Sequence, residues 1–353
     1  MNLTMADKQL DLNDEYKASL DRALVQTGIK EPKDFLREVK KPKITYGQNW
    51  SKYKKYQIEE KSLFLGLMCN MLESFDIPDE NNNNKKGNQF ANTKDIIKYC
   101  MIKVYNTFSC NRVMSDIEAC YRSGLLDNLY NPNIINSYMR KKEFREILYK
   151  LLEFSSLPMK NSEVCFAVDS SGFTSKKYRK WSEDKFLYKT GKIKVYRKGH
   201  IISGTRTNII TACKITPYNG ADSPQFKELV YKTNKNFNIV EIYADKAYNS
   251  RANLHIAKNV GATAFIPFKS NTKGASKGCI EWGEMFRLQE NNPDFFFGKY
   301  HKRNKVESTF SQVKAKFLNF IRSKDEVAMD SEILLKFICH NLCVIIREMK
   351  EIE

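Results

Sequence analysis

Two short apolar runs that each lead into an aspartate, "CFAVDSS" at Asp169 and "EIYADKA" at Asp245, most constrain the fold of this chain. Their apolar and β-branched composition is that of strands buried on both faces. A third run, "GATAFIPF", has the same texture. The alternating segments "KIKVYRKG" and "IISGTRTNIITACKIT" read as antiparallel partners, while "SPQFKELVYKTNKNF" and "SRANLHIAKNV" read as helices. After Pro158 the order is therefore three strands, helix, strand, helix, strand, helix. This predicts an α/β fold, a mixed sheet covered by helices. Asp222-Ser223-Pro224 opens the first of those helices, and Asp222 is expected to cap it.

Ahead of Pro158 the texture is helical. Residues 1–92 read as a polar, partly helical segment with a helix over 59–75, ending in the Asn-rich linker "PDENNNNKKGNQFANT". Residues 93–157 read as three or four helices, the last of them basic and begun by Pro132. Such a region is either a helix-turn-helix reader of DNA or a packing module. In the first case Asn136, Arg140 and Lys141 are the residues expected to reach base edges. The α/β part occupies 158–353, with a loop-rich stretch over 268–299 and a C-terminal helix.

Charge narrows the partner. The 353 residues carry 59 Lys and Arg against 41 Asp and Glu, a net of +18. The excess is clustered, since residues 171–206 hold eleven Lys or Arg and only Glu183 and Asp184 as acids. A concentrated basic surface suits nucleic acid. Lys176, Lys177, Arg179, Lys180, Lys192, Lys194, Arg197 and Lys198 are the expected phosphate contacts. Nine cysteines, an odd number without regular spacing, argue against a disulfide framework and for a reducing cytoplasm. Cys339-His340-x-x-Cys343 lies in an amphipathic run with no second ligand pair, so zinc is not expected there. No run reaches the ~20 apolar residues of a membrane span, and a soluble, cytoplasmic protein is expected.

The segment "YHKRNKVESTFSQVK" carries the remaining signal. On a continuous helix, at about 100° per residue, Tyr300, Arg303, Glu307 and Lys314 share an arc of roughly 60°. Val306, Phe310, Val313 and Phe317 form an apolar stripe beside it. If the two strands pair in parallel, Asp169 and Asp245 lie side by side, and Glu307 supplies a third carboxylate. Three such groups cannot all remain ionised without a cation. Oxygen-only ligands suit Mg²⁺ or Mn²⁺, and paired ions suit phosphoryl transfer.

These residues resemble the DDE transposases of bacterial and archaeal insertion sequences, which share a ribonuclease-H-like core. The strand order and the two aspartates match that core. Tyr300, Arg303, Glu307 and Lys314 match the Tyr-x2-Arg-x3-Glu-x6-Lys signature of one branch at every spacing. The resemblance covers about 163–347. It implies that Asp169, Asp245 and Glu307 are catalytic and bind Mg²⁺ (or Mn²⁺), with two ions. It implies too that Tyr300, Arg303 and Lys314 contact phosphates at the element end. The implied partner is double-stranded DNA, both element ends and target, bound by a homodimer or larger assembly, with no membrane or small-molecule substrate. Trp282 is in the region where some relatives hold an extruded base, but a packing role is the simpler reading, and His200 is a lesser candidate for a phosphate or active-site contact. The competing functions are a ribonuclease-H-like nuclease or resolvase without strand transfer, and a non-catalytic domesticated DNA-binding copy.

Overall fold

A computed structural model describes residues 50–77, 91–175 and 196–352. Among the described residues five helices come first: α1 (Trp50–Ser74), α2 (Thr93–Tyr105), α3 (Met114–Arg122), α4 (Asn133–Met139) and α5 (Lys142–Ser155). Three strands follow and then strands alternate with helices: β1 (Cys165–Thr174), β2 (Tyr196–Gly204), β3 (Ile210–Pro217), α6 (Gln225–Asn234), β4 (Glu241–Ala244), α7 (Arg251–Asn259) and β5 (Thr263–Phe265). Four helices close the described chain: α8 (Ile280–Asn291), α9 (Pro293–Tyr300), α10 (Asn304–Phe317) and α11 (Glu326–Ile352).

The sheet order is β3-β2-β1-β4-β5. β1, β2 and β3 pair antiparallel in sequence, whereas β1–β4 and β4–β5 are parallel. A meander followed by two helical crossovers, with the first strand at the centre, is the ribonuclease-H-like topology. Alternation along β1 assigns the faces. Phe166 packs edge-on against Phe237, just past α6, and Phe173 packs against Phe310 of α10 and Phe337 of α11. One face of β1 is therefore covered by α6 and the other by α10 and α11.

The helices before Pro158 join the same core. Buried side chains run without a break from Leu63 on α1, through Leu148 and Leu152 on α5, to Phe337 and Ile338 on α11. Buried Asn341 ties α11 to the sheet, accepting from Ile210 N at 2.9 Å and donating to Ile210 O at 2.8 Å. α3 and α4 are joined by residues 123–132, a longer link than the turn of about 3–4 residues in a helix-turn-helix. The carboxylate of fully buried Asp95 holds that link by accepting from the amides of Asp127 and Asn128 at 3.2 and 3.1 Å.

Two local expectations are corrected. The stretch 268–299 contains α8 and most of α9, because Asn292 accepts from Phe295 N and Pro293 opens the second helix. The segment from Tyr300 to Lys314 is not one continuous helix: His301–Arg303 is a 3₁₀ turn between α9 and α10.

Candidate active site

Register places the two aspartates. The parallel pairing of β1 with β4 ends at Val168↔Ala244, so Asp169 and Asp245 are the next residues on adjacent strands. β1 itself continues to Thr174 against β2, which puts Asp169 mid-strand, whereas β4 stops and Asp245 turns into a 3₁₀ segment. Asp245 accepts from Lys246 N at 2.6 Å and Asp169 accepts from Ser170 N at 2.8 Å. Burial raises the pKa of Asp169, and the charges of Glu307 and Asp245 add to that rise. The Ser170 amide and the Arg303 guanidinium oppose it.

Glu307 reaches this point from α10. The expected apolar stripe is buried, with Val306 and Val313 fully covered and Phe310 and Phe317 nearly so. That stripe docks α10 on β1 and β2 and leaves Glu307 on the exposed side. Arg303 joins the carboxylates: its Nη1 and Nη2 donate to Glu307 Oε1 at 2.6 and 2.7 Å, and Nη2 stands 3.6 Å from Asp169 Oδ2. Tyr300 lies on the same side. Burial raises its phenol, Arg303 lowers it, and the charges of Asp245, Glu307 and Asp169 raise it.

Lys314 is placed differently from the other three signature residues. Its Nζ donates to Ser171 Oγ at 2.6 Å and lies 5.1 Å from the Phe173 ring centre, farther along β1. Burial lowers its pKa. The quartet is thus spread along β1 by the 3₁₀ turn and the following helix.

The chain matches the transposase DDE domain over residues 160–342. It belongs to the DDE transposase family. No curated protein and no solved structure matches it. The match spans β1 to α11 and takes in Asp169, Asp245 and Glu307. Members of the family are transposases that bind and cleave nucleic acid, and they generally use divalent metal ions. Among the described residues no three Asp, Glu, His or Cys side chains gather closely enough to hold a metal ion. The donor set nonetheless fits a hard divalent cation, being all carboxylate oxygen around a half-buried Asp169. As arranged, the Arg303 guanidinium provides the positive charge between Asp169 and Glu307.

The remaining sequence candidates divide by environment. Lys176, Lys177, Arg179, Lys180, Lys192 and Lys194 lie outside the described residues. Arg197 faces α11, where Nε and Nη2 donate to the two oxygens of Asp330 at 2.7 and 2.9 Å. Lys198 pairs with Asp222 at 2.7 Å. Asn136 and Arg140 are exposed, and Lys141 lies 3.8 Å from the Tyr138 ring centre at the α4–α5 corner. Trp282 is buried, donates to Lys273 O at 3.1 Å and packs edge-on against Phe268. His340 is buried with Nε2 3.0 Å from Asn208 O, and burial lowers its pKa to about 4. All nine cysteines are free thiols. Among the described residues no helix is long and apolar enough to cross a membrane.

Asp222 departs from its expected capping role. Its backbone carbonyl accepts from Gln225 N at 3.0 Å, but its side chain turns to Ser170, Lys198 and His200. His200 is fully buried beneath the sheet's α6 side rather than open to phosphate. Sequence spacing could not reveal this grouping, because Ser170 and Asp222 are brought together only by the docking of α6 on the sheet.

Proposed function

We propose that the chain is a transposase that cleaves the ends of an insertion element and joins the freed 3′-hydroxyl to target DNA. In this reading Asp169, Asp245 and Glu307 hold two Mg²⁺ or Mn²⁺ ions. The observation that carries it is the register Val168↔Ala244, which makes Asp169 and Asp245 neighbours, with Glu307 linked to Asp169 through Arg303. When bound, the ions supply nucleophile activation and charge neutralisation at the scissile phosphate.

The chain's own residues do the rest. Arg303 presents a planar fork that matches a phosphate in two hydrogen bonds, and the half-buried Tyr300 beside it offers a hydroxyl and a ring. Lys314, anchored on Ser171, adds fixed positive charge farther along β1. The basic segment 176–194 supplies phosphate contacts without sequence preference. Asn136, Arg140 and Lys141 select the element's own ends from the α4–α5 corner. Joining two ends calls for at least two copies of the chain on DNA.

The test is a joining assay with full-length protein, Mg²⁺, a duplex carrying the terminal repeat found beside the reading frame, and a plasmid target. The expected products are a nick at the repeat boundary and a covalent joint of its 3′ end to plasmid. Asp169→Ala, Asp245→Ala and Glu307→Ala should each lose both products while still retaining the duplex on a gel. Nicks without joints in the parent protein would refute strand transfer and leave a nuclease.

A further inference from the structure

On the face of β1 opposite Glu307 lies a second polar cluster, drawn from β1, β2 and the head of α6. Asp222 Oδ1 accepts from Ser170 Oγ at 2.7 Å. The same oxygen is 2.7 Å from Lys198 Nζ and 3.2 Å from His200 Nδ1. His200 sits directly across the β1–β2 ladder from Ser170, is fully buried, and meets Thr216 Oγ1 through Nε2 at 2.9 Å. The buried Tyr248 hydroxyl stands beside the group without a well-aligned hydrogen-bond partner and feels the charges of Asp222, Asp169 and Asp245. Burial alone would raise the Asp222 pKa, but the close approach of His200, whose Nδ1 makes no well-aligned hydrogen bond, and the contacts from Lys198 and Ser170 bring it well below the usual carboxylate range.

Its link to the chemistry is one residue long. Ser170 follows Asp169 in the chain, its amide donates to Asp169 Oδ1, and its hydroxyl donates to Asp222. This tether acts where β1 loses a neighbour, because the ladder with β4 ends at Val168 and, among the described residues, only β2 pairs with the strand from Asp169 to Phe173, before Thr174 bridges Phe320. A strand held on one side leaves its side chains free to drift, and a ligand carboxylate must be held within about half an ångström to bind a small cation well. Groups that hold ligands in place in this way contribute strongly to metal affinity.

We infer that Asp222, acting through Ser170, is a positioning residue that sets the Asp169 carboxylate for metal binding. The inference rests on the reading of Asp169 as a ligand. It is tested on the full chain without DNA by titrating Mn²⁺ and following the free ion by electron paramagnetic resonance. Asp222→Asn and Ser170→Ala should weaken Mn²⁺ binding about 10- to 100-fold. DNA affinity and melting temperature should stay at parental values, and saturating Mn²⁺ should restore cleavage. Should Asp222→Asn lower the melting temperature, Ser170→Ala decides, since it removes only a hydroxyl. Parental Mn²⁺ affinity in Ser170→Ala, or a loss of activity that saturating Mn²⁺ leaves unrepaired, overturns the positioning role. Asp169→Asn separates the two levels. If it abolishes Mn²⁺ binding while Ser170→Ala keeps it, only the positioning role fails; if it leaves binding intact, the ligand reading fails as well.

Discussion

Asp169 on a central strand and Glu307 on a surface helix share one guanidinium: Arg303 lies 3.6 Å from the first carboxylate and 2.6 Å from the second. A cation bound by both carboxylates must compete with it. Arg303→Ala should therefore raise Mn²⁺ affinity of the DNA-free protein, by about fivefold or more if the coupling is of ordinary size. The same substitution should weaken binding to element-end DNA roughly tenfold, the usual cost of a charge-assisted contact. In the parent protein, DNA that draws Arg303 onto a phosphate should tighten Mn²⁺ binding, and Arg303→Ala should lose that linkage. Titrations of Mn²⁺ with and without duplex read all three effects.

Asp169 bears on stability with a defined sign. Burial first, then Glu307 and Asp245, raise its pKa, so its ionised form is disfavoured in the folded chain. A carboxyl whose folded pKa is raised stabilises the fold below its unfolded pKa, and that contribution is lost as pH rises through the folded value. Metal-free Asp169→Asn should thus melt above the parent at neutral pH. The difference should shrink as pH falls below the raised pKa, where the parent carboxyl is itself neutral. Thermal melts across pH 4–8, in about one-unit steps, give the comparison.

How far the chain could be read in advance follows from the range of each interaction. The strands, their order and the adjacency of Asp169 and Asp245 came from local apolar texture and from the consequence of parallel pairing. The α10 stripe was legible because Val306, Phe310, Val313 and Phe317 repeat at helical spacing. The 3₁₀ turn at His301–Arg303 was not, since its residues have no local signature that separates it from a helix. Asp222 was misread for a different reason: Asp-Ser-Pro is a helix-start pattern, and only tertiary packing sends the side chain to Ser170, Lys198 and His200 instead. Arg197 likewise reads as part of a basic surface in the sequence, whereas the fold turns it onto Asp330 of α11.

The basic segment divides accordingly. Replacing Lys176, Lys177, Arg179, Lys180, Lys192 and Lys194 by Gln should weaken binding to all DNA sequences and flatten the log–log salt dependence by about 0.9 per lost phosphate contact. Arg197→Ala should act on the fold instead. Its side chain is only 11% exposed and pairs with an Asp330 only 3% exposed, so truncation leaves that buried carboxylate with the 3.3 Å contact to Arg145 in place of three guanidinium contacts, at up to about 3 kcal/mol. Salt-dependent binding curves and urea melts tell the two outcomes apart.

End selection should reside at the α4–α5 corner. Because α5 packs into the same core as α11, a fragment beginning at Pro158 would expose Leu148 and Leu152's partners, and point changes are the cleaner probe. Asn136→Ala, Arg140→Ala and Lys141→Ala combined should leave melting unchanged. Preference for terminal-repeat over random duplex should fall by about 1–3 kcal/mol for each base-edge contact removed. Unchanged preference would assign these residues to the surface alone.

The most direct measurement is an anomalous diffraction map from crystals of the full chain grown with Mn²⁺. One or two manganese peaks should lie about 2.1 Å from oxygens of Asp169, Asp245 and Glu307, with Arg303 withdrawn from between Asp169 and Glu307. Ordered carboxylates at those three positions that remain bound to Arg303 at saturating Mn²⁺, with manganese peaks only elsewhere, would contradict the assignment of the metal site.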